Sequence, residues 1–261
     1  MRHHEKTVEA FARSSREEPG VLGVVLVGSV ARGTERADSD VDVYVVVTED
    51  AFLRAREGDR ISYTATAAAT YPGGYVDVKL VSPTYLARAV ESGDEPTRAS
   101  FVGARVVWAE IPQLGAQLSR ISEPGPEFFR PRCASFIAQM RLQGGYFLEQ
   151  AEVRGDPYLL AWASLHMIAA ADRALLSHHQ VLFRGHKYLR EMVGGLPSLP
   201  PGHERRVAQQ LHAPTAARGR EITRHVEDFH PWDLPRAGTL SRYIEETELA
   251  WFFGTIPPEY S

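Results

Sequence analysis

Apolar positions recur along this chain at two different periods, and the change from one to the other falls near its middle. In the first half they gather into short β-branched runs. Residues 21–27 form one such run and predict a buried strand. Residues 41–47 predict a second strand, 61–70 a third, 75–81 a fourth and 105–109 a short closing one. Val8, Phe11 and Ala12 fall at helical spacing, so 5–16 reads as an amphipathic helix ended by Pro19-Gly20. Pro83 stands at a helix-start position ahead of a helical pattern over 84–91.

After Pro112 the character changes, and beyond the next breaker nothing resembles a strand. Pro124-Gly125-Pro126 is a strong breaker and the expected domain boundary, giving domains 1–123 and 124–261. Residues 128–153 and 158–179 are long helical patterns, joined through Arg154-Gly155-Asp156-Pro157. Shorter helices are predicted at 186–193, 203–212, 216–226 and 239–253, with prolines between them. The aromatics Tyr146, Phe147, Trp162, Trp251, Phe252 and Phe253 sit at helical spacing and are expected in the core.

Composition narrows the setting. A net charge of -4 argues against a large electrostatic footprint for nucleic acid. Cys133 is the only cysteine, which excludes an intrachain disulfide and a cysteine metal site. Residues 1–18 are charged and lack the apolar core of a secretory signal. The apolar stretch 158–176 is interrupted by His166, Asp172 and Arg173, which suits a bundle helix better than a bilayer span. A cytoplasmic protein is expected, monomeric or homodimeric, with no membrane partner.

Candidate chemistry is concentrated in residues 28–42. Gly28 and Ser29 follow the first strand, and Gly33 closes a short turn or helix. Glycine lets backbone amides approach a phosphate, Ser29 adds a hydroxyl, and a helix starting at Ser29 would favour an anion. Asp40 and Asp42 open the next strand two residues apart, so they project to one face while Val41 and Val43 enter the core. Two carboxylates about 4 Å apart repel by roughly 4 kcal/mol at an effective dielectric near 20. A divalent cation such as Mg²⁺ converts that repulsion into affinity. Asp77, flanked by Val76 and Val78 in a core strand, is costly unless paired or metal-bound, and it supplies a third carboxylate.

The Gly28-Ser29-x-x-x-Gly33 turn, the Asp40-x-Asp42 pair and Asp77 on a later strand together resemble the nucleotidyltransferase superfamily, which includes polymerase beta and the aminoglycoside nucleotidyltransferases. The resemblance covers about residues 20–110. The helical half is similar, more loosely, to the C-terminal domain of kanamycin nucleotidyltransferase-like enzymes. It implies an α+β fold: a core of mixed β-sheet flanked by helices, followed by an all-α helical-bundle domain that binds substrate.

It also implies a mechanism. Asp40, Asp42 and Asp77 would hold two Mg²⁺ ions, with Asp77 helping to activate the incoming hydroxyl. Gly28 and Ser29 would hold the β- and γ-phosphates of ATP or another nucleoside triphosphate, with Arg32, Arg36 or Ser39 assisting. Lys187 from the helical half would reach the triphosphate. An acceptor oxygen on a small molecule, an aminoglycoside-type antibiotic among the candidates, would attack the α-phosphorus and release pyrophosphate. The glutamate base of the kanamycin enzyme has its counterpart near 143–146, where no acid stands; Glu149 and Glu152 lie beyond it. The alternatives are nucleotidylation of a protein or RNA target and a catalytically silent nucleotide-binding module. His178 and His179 are expected to cap their helix with positive charge, which a helix C-terminus favours. Glu245, Glu246 and Glu248 are expected on a solvated face.

Overall fold

The computed structural model describes residues 1–260. The chain divides into two compact units, Met1–Pro124 and Gly125–Ser261. The first unit contains α1 (Arg2–Ser15), β1 (Val21–Leu26), α2 (Gly28–Arg32), β2 (Val41–Val47), α3 (Glu49–Glu57), β3 (Ser62–Ala65), β4 (Val76–Val81), α4 (Pro83–Ser92), α5 (Glu95–Ser100), β5 (Arg105–Ala109) and α6 (Leu114–Ser122). Its five strands form one sheet in the order β3-β4-β2-β1-β5. β2 and β4 run parallel and the other neighbours antiparallel, so the sheet is mixed.

Two apolar layers enclose the sheet. On one face Val8 and Phe11 of α1 pack with Val24, Leu26, Val41, Val43, Val45, Val76 and Val78. On the other, Val25, Tyr44, Val46 and Val81 meet Leu86 of α4, Phe101, and Leu118 and Ile121 of α6. Burial on both faces explains why β1 and β2 read as unbroken valine-rich runs. Arg98 of α5 fastens the second layer, donating to the carbonyls of Gly93 (2.8 Å), Val90 (3.0 Å) and Ile121 (3.1 Å).

Three helices escaped the sequence pattern. α3 buries no residue fully and lays only a narrow stripe, Ala51 and Phe52, on the sheet; its start is set by the Thr48 hydroxyl, which accepts from the Ala51 amide. α5 is one short turn and a half, opened by the Asp94 carboxylate accepting from Thr97 N–H at 2.7 Å. α6 follows a left-handed Gln113 and buries only Leu114, Leu118 and Ile121. The third strand is shorter than expected, ending at Ala65.

The second unit contains α7 (Pro126–Arg141), a π-helical segment (Leu142–Phe147), α8 (Leu148–Arg154), α9 (Pro157–His178), α10 (Leu189–Gly194), α11 (His203–His212), α12 (Ala216–Phe229), α13 (Thr239–Glu246) and α14 (Ala250–Phe253). Two 3₁₀ turns, Arg236–Gly238 and Pro258–Tyr260, complete it. It holds no strand among the described residues, and the whole chain is α+β: a mixed sheet with flanking helices, then an all-α region. The long helix expected over 128–153 is interrupted by the π segment. There Gly144 fits where a Cβ would lie 2.4 Å from Thr223 Oγ1 and 3.1 Å from Met167 Sδ.

α9 has the length and apolar character of a membrane span. It is instead packed within the bundle, where Ala163, Met167, Ala171 and Ala174 are buried. Its buried Asp172 accepts from Arg190 and pairs with His203 Nε2 at 2.8 Å. The expected helix over 239–253 breaks after Glu246, and α14 leaves Trp251 80% and Phe252 67% exposed. Phe253 and Tyr146 are exposed as well, so these four aromatics are not core.

Candidate active site

The β1–α2 turn is built by two glycines in the left-handed region. Gly28, at φ +69°, opens α2. A Cβ there would sit 1.9 Å from Asp42 Oδ2, so only glycine lets the turn lie against that carboxylate. Gly33, also at φ +69°, closes α2: its amide donates to Val30 O and the Thr34 amide to Ser29 O, a Schellman ending. The helix cap is Val27 rather than Ser29, which falls within the first turn and makes no capping bond. The first amide bonded back along the helix is that of Ala31, to Val27 O. The amides of Gly28, Ser29 and Val30 therefore precede the helix's own ladder and face whatever lies at its start.

Asp42 and Asp77 are register partners on the parallel strands β2 and β4. Both belong to the face covered further along by Tyr44, Val46 and Val81. Burial first, then the Asp40 and Asp77 carboxylates, push the Asp42 carboxyl up to about 6, while Lys79 and Arg32 oppose them. The fold thus disfavours the ionised form of Asp42, by burial more than by its acidic neighbours.

Asp40 lies one residue before β2. Its Oδ2 accepts from the Tyr75 hydroxyl at 3.1 Å, and this bond raises the Tyr75 pKa. Among the described residues, no group of three or more His, Cys, Asp or Glu side chains is drawn close enough to hold a metal ion. The predicted triad is two carboxylates in register and a third acting on them through space.

The other predicted residues divide between the units. Arg32 ends α2 and packs on Gly103, where a Cβ would lie 3.0 Å from Arg32 Cγ. Ser39 is a turn residue: its hydroxyl accepts from the Arg36 amide at 2.9 Å, and Arg36 itself pairs with Asp38. Lys187 belongs to the second unit, exposed in the turn before α10, with Nζ 5.3 Å from the Tyr188 ring centre. Glu149 pairs with Arg220 at 2.7 Å, and Glu152 accepts from the Ala216 amide, capping the start of α12. Glu246 is not on a solvated face; it accepts from Ser135 at 2.7 Å, and burial raises its pKa. Burial first, then His230 and His179, lower the His178 pKa, which opposes the positive charge expected at the end of α9.

Sequence reasoning missed His4, Tyr71 and Tyr75. The signal available was the Tyr71-Pro72-Gly73-Gly74-Tyr75 turn, which places two phenols just ahead of Asp77.

Residues 6–80 match the family model for the nucleotidyltransferase domain. That match lies within the first unit, which thus carries a nucleotidyltransferase domain. A curated relative, the pantothenate synthetase of Mycolicibacterium paratuberculosis (strain ATCC BAA-968 / K-10), is 36% identical over 109 residues, which are 40% of this chain and 33% of the relative. The chain thus spans about a third of that relative's length. A solved structure, a nucleotidyltransferase-like protein from Exiguobacterium sibiricum 255-15, aligns with a TM-score of 0.45 at 11% identity, over 86% of this chain and 73% of that one.

Proposed function

We propose that this protein transfers a nucleoside monophosphate, AMP from ATP, to a hydroxyl of a small molecule and releases pyrophosphate. An aminoglycoside-type antibiotic is the acceptor class to try first. The observation that carries this reading is the Gly28–Asp42 approach, which sets a turn of unbonded amides directly beside a carboxylate pair.

The carboxylate oxygens of Asp40, Asp42 and Asp77 are the hard donors that Mg²⁺ prefers. The raised pKa of Asp42 records a deficit of positive charge that divalent cations would meet. Asp40, Asp42 and Asp77 would hold two such ions. When bound, they supply neutralisation of the charge on the phosphoryl oxygens.

The chain's own groups do the rest. The Gly28, Ser29 and Val30 amides and the Ser29 hydroxyl bind the β- and γ-phosphates, aided by the positive end of α2. Arg32 adds positive charge, already felt at Asp42. Glu149 and Glu152 are engaged in structure, which leaves Asp77 to take the acceptor's hydroxyl proton. The acceptor oxygen then bonds to the α-phosphorus as the bond to the bridging oxygen breaks.

The test is incubation with Mg²⁺, labelled ATP and a panel of aminoglycosides and lincosamides, followed by mass spectrometry for a product heavier by AMP. Metal-dependent pyrophosphate release with an adenylylated product is expected. Absence of both with every acceptor would leave only nucleotide binding.

A further inference from the structure

Asp40 is the one acid of the three outside a strand, and therefore the one whose aim the sheet does not fix. The structure fixes it another way. Tyr71-Pro72-Gly73-Gly74 is a type II turn, with proline at its second position, Gly73 at φ +72° at its third and the Gly74 amide donating to Tyr71 O at 3.1 Å. Gly74 has no side chain to obstruct the Tyr71 ring; a Cβ there would lie 2.5 Å from Tyr71 Cζ. The turn brings both phenols to the Ser39–Asp40 segment, Tyr71 to the Ser39 carbonyl and Tyr75 to the Asp40 carboxylate.

The Tyr71 hydroxyl donates to Ser39 O at 2.5 Å, and His4 Nε2 donates to the same oxygen at 3.0 Å. Two donors saturate that carbonyl. Because the peptide is planar, fixing its oxygen fixes the plane that carries Asp40 N–H. His3 and His4 pack on the Tyr71 ring, with centroids 4.7 and 5.0 Å away. The Val41 amide donates to Tyr75 O at 3.1 Å, and the Tyr75 hydroxyl holds Asp40 Oδ2.

We infer that Tyr75 and Tyr71 are positioning residues for the Asp40 carboxylate: Tyr75 occupies Oδ2 so that Oδ1 is the oxygen offered to a divalent cation, and Tyr71, with His4, clamps the peptide from which that side chain springs. The inference rests on the metal-binding part of the proposed function. Hydrogen-bond partners of metal-binding carboxylates tune affinity by about ten- to a hundredfold. Tyr75 is partly exposed, so the lower end applies.

The experiment is a Mn²⁺ titration of the full chain followed by electron paramagnetic resonance, with wild type, Tyr75→Phe, Tyr71→Phe and Asp42→Asn, alongside thermal melts. Wild type should bind Mn²⁺, Asp42→Asn should lose it, and Tyr75→Phe should bind roughly tenfold more weakly. Tyr71→Phe should weaken binding in the same direction by less. A merely structural part for Tyr75 would lower the melting temperature and leave the affinity of the folded protein unchanged, which overturns this inference alone. No Mn²⁺ binding by wild type overturns the metal reading and this inference with it.

Discussion

Gly28 and Asp42 lie so close that the site has no room for a single methyl group between them. A Cβ on Gly28 would fall 1.9 Å from Asp42 Oδ2 and 2.7 Å from its Cγ. Asp42 has a short side chain, so its carboxylate cannot swing clear, and the left-handed φ of Gly28 adds strain to any other residue. Gly28→Ala should cost on the order of 1–3 kcal/mol in urea unfolding and abolish nucleotide transfer. Unchanged stability together with unchanged turnover would show that the turn is not held as described.

Asp42 makes the metal-free fold more stable in mild acid. Its folded pKa of about 6 lies above its ordinary 3.8, so between those values the folded state binds the extra proton. Stability therefore falls as pH rises through that window and stays lower above it. The carboxyl is partly solvated, so the loss is discounted to about 1 kcal/mol. Asp42→Asn should flatten this part of the stability profile, be at least as stable as wild type at pH 7.5, and lose transfer. A variant less stable than wild type at pH 7.5 would contradict the charge-crowding account.

Protons and cations should compete at the same carboxyl. Metal binding requires the ionised form, so wild-type Mn²⁺ affinity should be level above pH 7 and fall roughly tenfold for each pH unit below about 6. Calorimetric titrations at pH 5 and pH 7.5 measure this directly. A flat profile across that range would remove Asp42 from the metal site.

Arg98 should govern the stability of the first unit without touching its chemistry. Its guanidinium fans out to three backbone carbonyls at 2.8–3.1 Å, on Gly93, Val90 and Ile121. Arg98→Ala strips the buried Ile121 carbonyl and the part-buried Gly93 and Val90 carbonyls of their donor and should cost about 3 kcal/mol. Arg98→Lys should recover little, because an ammonium cannot match the planar fork. The urea midpoint of each variant checks the ranking, and equal midpoints for wild type and Arg98→Ala would refute it.

The strands of the first unit were legible because burial on two faces writes itself as continuous valine runs, as in β2. Asp42 and Asp77 stood out because an acid amid such valines needs a reason. What stayed hidden was set by polar and backbone contacts rather than by apolar period. α3 has no fully buried residue and only Ala51 and Phe52 against the sheet, so its Thr48 cap and end charges are its clearest marks. The clamp on Asp40 joins residues more than thirty positions apart, His4 and Tyr71 to Ser39. No spacing rule links them. In the second unit the helical period was plain, but it could not reveal that α14 would leave its aromatics in solvent.

The π segment at Leu142–Phe147 changes how this helix can be compared with others. A π turn bonds i to i+5 and so accommodates one residue more than an α turn. Every side chain beyond Phe147 is therefore rotated by about 100° from where an uninterrupted α-helix would carry it. Leu148 and Ala151 point inward, while Glu149 and Glu152 turn to Arg220 and the start of α12. Counting residues along the chain from a regular helix thus goes out of phase by one position at Gly144-Gly145. A functional group sought by spacing alone beyond that point would be sought on the wrong side of the helix.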